Sequence, residues 1–220
     1  MCTQNNGTCS WVDLNKSDYV AYHDEEWGVP VLNDTKLFEC LCLESAQAGL
    51  SWYTVLKKKQ GFRTAFLGFD INNVAAMTTA DKQRLLLNNA IVRHKGKISA
   101  FINNARCVLA IQKEYSSFAQ FLWSFTDNKV LILNNLIASN QVTTCPISDR
   151  LSKALKKRGF KFVGSKTLYA FLQAVGIFNG HYNHCSRKNE IIYSYKALGL
   201  CWQDADSLTI LQSLQLLPLK

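Results

Sequence analysis

Residues 148–175 constrain the fold more than any other stretch of the chain. Ser148 can cap a helix that runs through Lys157, Ser165 can cap a second from Lys166 to about Val175, and Arg158-Gly159-Phe160-Lys161-Phe162-Val163-Gly164 joins them. Two helices tied by so short a glycine-bounded turn must pack on each other, which makes this part of the chain a helical hairpin. From Asp149 to Lys166 there are seven basic residues and one acid, so +6 of the chain's formal +9 lies within 18 residues. The backbone N–H groups of such a turn, the start of the second helix and the surrounding lysines can hold a phosphate, with Lys161, Gly164, Ser165 and Lys166 expected at the contact. Contacts of that kind place a protein on DNA without reading its sequence. A solvated helix face is the other use of such a charge run.

The rest of the sequence agrees with a helical protein. Asp34 is placed to cap a helix whose apolar stripe runs Leu37, Leu41, Glu44, Ala48, Trp52 before Lys57-Lys58-Lys59-Gln60-Gly61 ends it. Further helices are predicted at about 80–90 with Thr79 as cap, at about 97–113 with Ile98, Phe101, Ile102, Ala105, Val108 and Leu109 inward, and at about 117–125. Val130-Leu131-Ile132-Leu133 fits strand or helix, and its helical neighbours favour helix. The fold class expected is therefore all-α. With 48% hydrophobic residues, three prolines, no apolar run of membrane-spanning length and a polar, uncharged N-terminal segment, the chain reads as a cytoplasmic globular protein without membrane contact. In a reducing compartment its eight cysteines are buried thiols or metal ligands, and Cys40, Cys42 and Cys107 read as core.

Two features carry chemistry. Tyr19-Val20-Ala21-Tyr22-His23-Asp24-Glu25-Glu26-Trp27-Gly28 gathers three aromatic rings, a histidine and three acids in ten residues. That mixture suits a flat, electron-poor ligand held by stacking and cation–π attraction as well as it suits an aromatic turn over the core. Glu44 interrupts its own apolar stripe, so either a partner meets it or that face borders a pocket. A module that merely binds DNA has no use for a carboxylate among rings; an enzyme does.

With these pieces in place, the chain resembles the DNA-3-methyladenine glycosylase I family within the helix-hairpin-helix glycosylases. The resemblance runs from about Cys9 to about Cys185 and rests on Tyr22-His23-Asp24-Glu25-Glu26-Trp27-Gly28-Val29-Pro30, Gln47-Ala48-Gly49-Leu50-Ser51-Trp52, Thr54-Val55-Leu56-Lys57-Lys58 and residues 152–164. It implies a two-lobed all-helical glycosylase domain over 1–187, with the hairpin at about 148–176 and a 188–220 extension of no assigned role. It further implies a monomer that flips an alkylated adenine from double-stranded DNA and hydrolyses its N-glycosidic bond, with 3-methyladenine as product. By the same resemblance Glu44 is the catalytic and base-reading acid, Tyr22 and Trp52 stack on the base, Tyr19 and Trp27 line the pocket, and Cys9, His23, His181 and Cys185 hold a structural Zn2+ that staples the two ends of the chain. His184 rivals its neighbours for the histidine position. Methylation at N3 makes the purine a cation and weakens its bond to the sugar, so no strong general acid is needed, and a buried Glu44 anion would favour the cation over neutral adenine.

The chain departs from the wider superfamily in two ways. Many hairpin glycosylases carry an aspartate about 20 residues past the hairpin glycine, but no Asp or Glu stands between Gly164 and Arg187. Lys166 occupies the place where strand-nicking relatives keep a nucleophilic lysine; without an assisting acid it is expected to bind phosphate or solvent rather than act as a lyase. His94 is either near DNA or an ordinary helix start, and Leu208, Leu211, Leu214 and Leu217 form an amphipathic piece in the tail.

Overall fold

The computed structural model describes residues 7–134 and 142–205. The described helices in chain order are α1 (Ser17–Ala21), which widens into a π-helical turn (Tyr22–Glu26), α2 (Asp34–Gln47), α3 (Trp52–Leu56), α4 (Lys59–Ala65), α5 (Ile71–Ala76), α6 (Thr79–Leu87), α7 (Lys95–Tyr115), α8 (Phe118–Trp123), α9 (Pro146–Lys157), α10 (Ser165–Ala174) and α11 (Ser186–Ala197). Three short strands, β1 (Lys129–Leu133), β2 (Phe178–Asn179) and β3 (Cys201–Ala205), form one parallel sheet in the order β2-β1-β3. No described helix is long and apolar enough to cross a membrane.

The described residues are mainly helical, as expected, and the small sheet corrects the helix favoured over Val130–Leu133. Leu131 pairs with Phe178, and residues 129–133 pair with 201–205, partners far along the chain that no local pattern reveals. Val130 and Ile132 are β-branched, and all four residues are buried, as a strand covered on both faces requires. The amphipathic leucines of the tail fall outside the described residues.

The helix expected from Asp34 to the triple lysine is two helices. Asn33 is the cap, accepting the Lys36 N–H at 3.0 Å, and the helix stops at Gln47 before Gly49, whose φ of +79° is a left-handed turn. Ser51 then caps α3, accepting from the Thr54 N–H at 3.3 Å. Released from capping its own helix, the Asp34 carboxylate starts α8 instead: it accepts from the N–H groups of Phe118 and Ala119, each at 2.8 Å, and from Gln112 Nε2 at 2.6 Å. The other caps move by one residue or change role. Thr78 rather than Thr79 caps α6, and Cys145 precedes α9 with Ser148 in its first turn. α7 buries Ile98, Phe101, Ile102, Ala105 and Val108 as predicted, and Phe101 packs against Phe62 and Phe66 in the core beneath α2.

The hairpin turn is pinned to α2, to α7 and, through Ser152, to its own first helix α9. Asn103 donates to the Gly159 carbonyl at 2.8 Å, Asn104 both accepts from the Lys161 N–H (2.8 Å) and donates to its carbonyl (2.9 Å), Ser45 donates to the Phe162 carbonyl (3.1 Å) and Ser152 to that of Val163 (2.7 Å). Ser45 is the neighbour of Glu44, so the helix that carries the acid is fastened directly to the turn expected at the phosphate.

Candidate active site

A cavity of about 540 Å³ opens between α1, the π-helical turn, α2, α3 and α10. Tyr19, Tyr22, Trp27, Glu44 and Trp52, expected to form one site, all line it. The π-helical turn starts at Tyr22, a widened turn of the kind common at functional sites. Trp52 opens α3, and its ring lies 5.1 Å from that of Tyr22 at 43°. Tyr19 and Trp27 are held by Trp11, whose ring centroid lies 5.5 and 4.9 Å from theirs. Trp11 itself, with Tyr169, Gln173 and Tyr182, completes the wall outside the expected set; these come from distant segments, and a tryptophan two residues after a metal-type cysteine is the only local signal among them.

Glu44 is 6% exposed and meets no hydrogen-bond or ion-pair partner among the described residues. Burial pushes its carboxyl up to about 8. With no cation beside it to repay desolvation, the carboxyl holds its proton more tightly than an exposed one, and a cation seated in the cavity would favour the anion. Burial likewise holds the Tyr22 phenol well above its ordinary value. The indole N–H of Trp52 is buried without an acceptor among the described residues. The cavity thus presents a buried carboxyl and an unused indole donor beside aromatic faces; it suits a flat heterocycle.

The hairpin borders the same cavity, because Lys166 and Thr167 of α10 line it. The amide N–H groups of Gly164, Ser165 and Lys166 meet no acceptor among the described residues, as is general at the start of a helix. The Ser165 hydroxyl is already engaged by the Asp149 carboxylate and by Ser148 at 2.8 Å, so its backbone rather than its side chain is free. Lys161 and Lys166 are exposed. His94 is a helix start: its Nδ1 accepts from the Lys97 N–H at 3.1 Å.

Behind the aromatic wall, Cys9, His23, His181 and Cys185 are all buried, with their ligand atoms within 4.8 Å of one another. Cys185 Sγ lies 3.5 Å from His23 Nε2 and from His181 Nδ1, and Cys9 Sγ lies 3.7 Å from His181 Nδ1. A tetrahedral ion with bonds of about 2.3 Å to sulfur and about 2.0 Å to nitrogen has sulfur–nitrogen edges of about 3.5 Å, so the four donors fit the expected ion. The outward ring nitrogens are oriented too, His23 Nδ1 by Asp24 at 2.6 Å and His181 Nε2 by the Trp27 carbonyl at 3.2 Å. His184 is excluded, since its Nε2 faces the Thr8 carbonyl at 3.2 Å.

Residues 11–188 match the model of a family described as methyladenine glycosylase. The DNA-3-methyladenine glycosylase 1 of Escherichia coli K12 is 48% identical over 177 residues, covering 80% of this chain and 94% of that protein. A crystal structure of a 3-methyladenine DNA glycosylase I superposes with a TM-score of 0.79 at 50% identity, covering 81% of this chain and 98% of that one. A single-residue variant of such an enzyme, solved in complex with 3-methyladenine, superposes with a TM-score of 0.77 at 41% identity over 79% of this chain and 93% of its own. Match length, identity and shared fold agree, and the chain belongs to the methyladenine glycosylase family.

Proposed function

We propose that the chain excises 3-methyladenine from alkylated duplex DNA by hydrolysing the N-glycosidic bond, leaving an abasic site. The observation that carries this reading is a buried, unpartnered acid, Glu44, inside a ring-lined cavity that opens beside a basic helical hairpin. The hairpin amides and Lys161 and Lys166 take the phosphate backbone and hold the duplex while the damaged nucleotide turns out of the stack, a step that costs a few kcal/mol and less for a damaged base. Tyr22 and Trp52 take the faces of the purine, and Tyr19 and Trp27 close its surroundings. Glu44 meets its polar edge as catalytic acid and reader. The methylated purine is its own activated leaving group, which is why no aspartate is needed past the hairpin.

We assign the four buried donors to a structural Zn2+. Two thiolates and two imidazoles complete its coordination and leave no position for water, so it would supply rigidity and no chemistry to bond cleavage. Cys9 and Cys185 come from opposite ends of the chain, and His23 is next to Tyr22, so the same centre holds a stacking ring in place.

Lys166 lines the cavity, which gives a lyase reading its one supporting observation. Glu44 is the only carboxylate among the described lining residues, and no acid follows the hairpin to assist the amine. A single-turnover reaction on methylated duplex DNA tests both readings. Free 3-methyladenine and an uncut abasic strand are expected, with no protein–DNA crosslink after borohydride reduction. Absence of free base contradicts the glycosylase assignment, and a crosslink through Lys166 contradicts the monofunctional one.

A further inference from the structure

The last carbonyls of α2 have no partners within their own helix, and one buried side chain supplies them. Lys97, in the first turn of α7, is 6% exposed and donates from Nζ to the carbonyls of Ala46 and Ala48, each at 2.7 Å. It makes no ion pair among the described residues, so the negative end of the α2 dipole is what repays the burial of its charge.

Those two carbonyls lie between Glu44 and Trp52 in the chain. Gln47, Ala48, Gly49 and Leu50 all line the cavity, and the last three are exposed. Nothing stands within 4 Å of the place where a Cβ of Gly49 would be, so the stretch projects as a rim. Its backbone closes on itself, with the Leu50 N–H donating to the Gln47 carbonyl at 2.6 Å and the Ser51 hydroxyl taken up in the cap of α3. Among the described residues, Lys97 is the side chain that bonds it to another helix. The same turn of α7 also faces the hairpin: His94, its cap, lies ring to ring at 6.2 Å from Phe162, whose carbonyl accepts from Ser45 beside Glu44.

Resting on the glycosylase reading, we propose that Lys97 is a positioning residue for damage recognition: bonded to the Ala46 and Ala48 carbonyls, its ammonium fixes the 47–50 rim against the hairpin and so sets where the Trp52 ring stands relative to Glu44 and Tyr22. Buried under the rim, it touches neither base nor phosphate and acts through the backbone that joins the acid to the stacking ring. A misplacement of about 1 Å at such a distance from the chemistry can cost about 100-fold in rate.

Arg106, farther along α7, is the control. It donates from Nε to the Ala75 carbonyl at 2.8 Å, holding the end of α5 by the same chemistry, and it does not line the cavity. Lys97→Met and Arg106→Met should each lower Tm. With enzyme in excess and well below Tm, only Lys97→Met is expected to slow release of 3-methyladenine, by about 100-fold, and to weaken the quenching of tryptophan fluorescence by free 3-methyladenine. Both variants should bind undamaged duplex as tightly as wild type. Lys97→Gln, whose amide can still donate, is the milder variant and its rate should fall between those of Lys97→Met and wild type. A Lys97 variant that is destabilised yet releases base at the wild-type rate, one whose slowing is matched by lost affinity for undamaged duplex, or an Arg106→Met variant slowed as much, overturns the proposal and leaves the glycosylase assignment standing. Failure of the wild type to release any free base overturns the assignment itself.

Discussion

Glu44→Gln is expected to slow single-turnover release of 3-methyladenine by about 100-fold to 1,000-fold, the usual loss when one preorganised electrostatic partner of a transition state is removed. Glutamine keeps the size of the side chain and half of its hydrogen-bonding capacity, so the cavity wall survives. It cannot become an anion beside the cationic base. The same substitution is expected to stabilise the empty protein in alkaline solution. In the unfolded chain this carboxyl ionises near its ordinary value of 4.5, whereas burial holds the folded one to about 8. Between those values unfolding releases a proton, so Glu44 makes stability fall as pH rises from about 4.5 to about 8, and the glutamine variant lacks that slope. Denaturant melts at pH 6 and pH 8 should show wild type losing more stability than the variant between them. Unchanged base release together with equal slopes would remove Glu44 from the site.

Cys185→Ala should have the largest structural effect. Cys185 approaches both histidines of the metal set, and Cys9 lies beside the same His181 ring. Structural zinc contributes about 10–16 kcal/mol of apparent binding in small zinc-dependent folds. Loss of even about 5 kcal/mol would lower Tm by about 10–20 °C in a protein of this size. Metal analysis should find about one zinc per wild-type chain and little in the variant, and base release should fall because Tyr22 follows His23. Cys201→Ala, at an exposed thiol, is the control and should change neither. Equal metal content and Tm in Cys185→Ala and wild type would contradict the zinc assignment.

Local physics accounts for what the sequence made legible. The hairpin and α7 could be read because their caps, glycines and apolar spacing are local. Glu44 could be singled out because a carboxylate on an apolar stripe is costly without a reason. Three things were not legible. β1 depends on Phe178 and on residues 201–205, which only the folded chain brings alongside. The far wall of the cavity, Tyr169, Gln173 and Tyr182, shares no pattern with Tyr22 or Trp52. The charge state of Glu44 turns on which cations surround it in space; the sequence offers many lysines nearby in number, and the fold puts none in contact.

The assignment rests on the damaged base meeting Glu44 inside the ring-lined cavity, and a crystal structure of the wild-type protein with free 3-methyladenine tests that most directly. The account predicts the purine packed on Trp52 and Tyr22 with its polar edge within hydrogen-bonding distance of the Glu44 carboxyl. A base seated outside this cavity, or one inside it that leaves Glu44 without contact, would contradict the account.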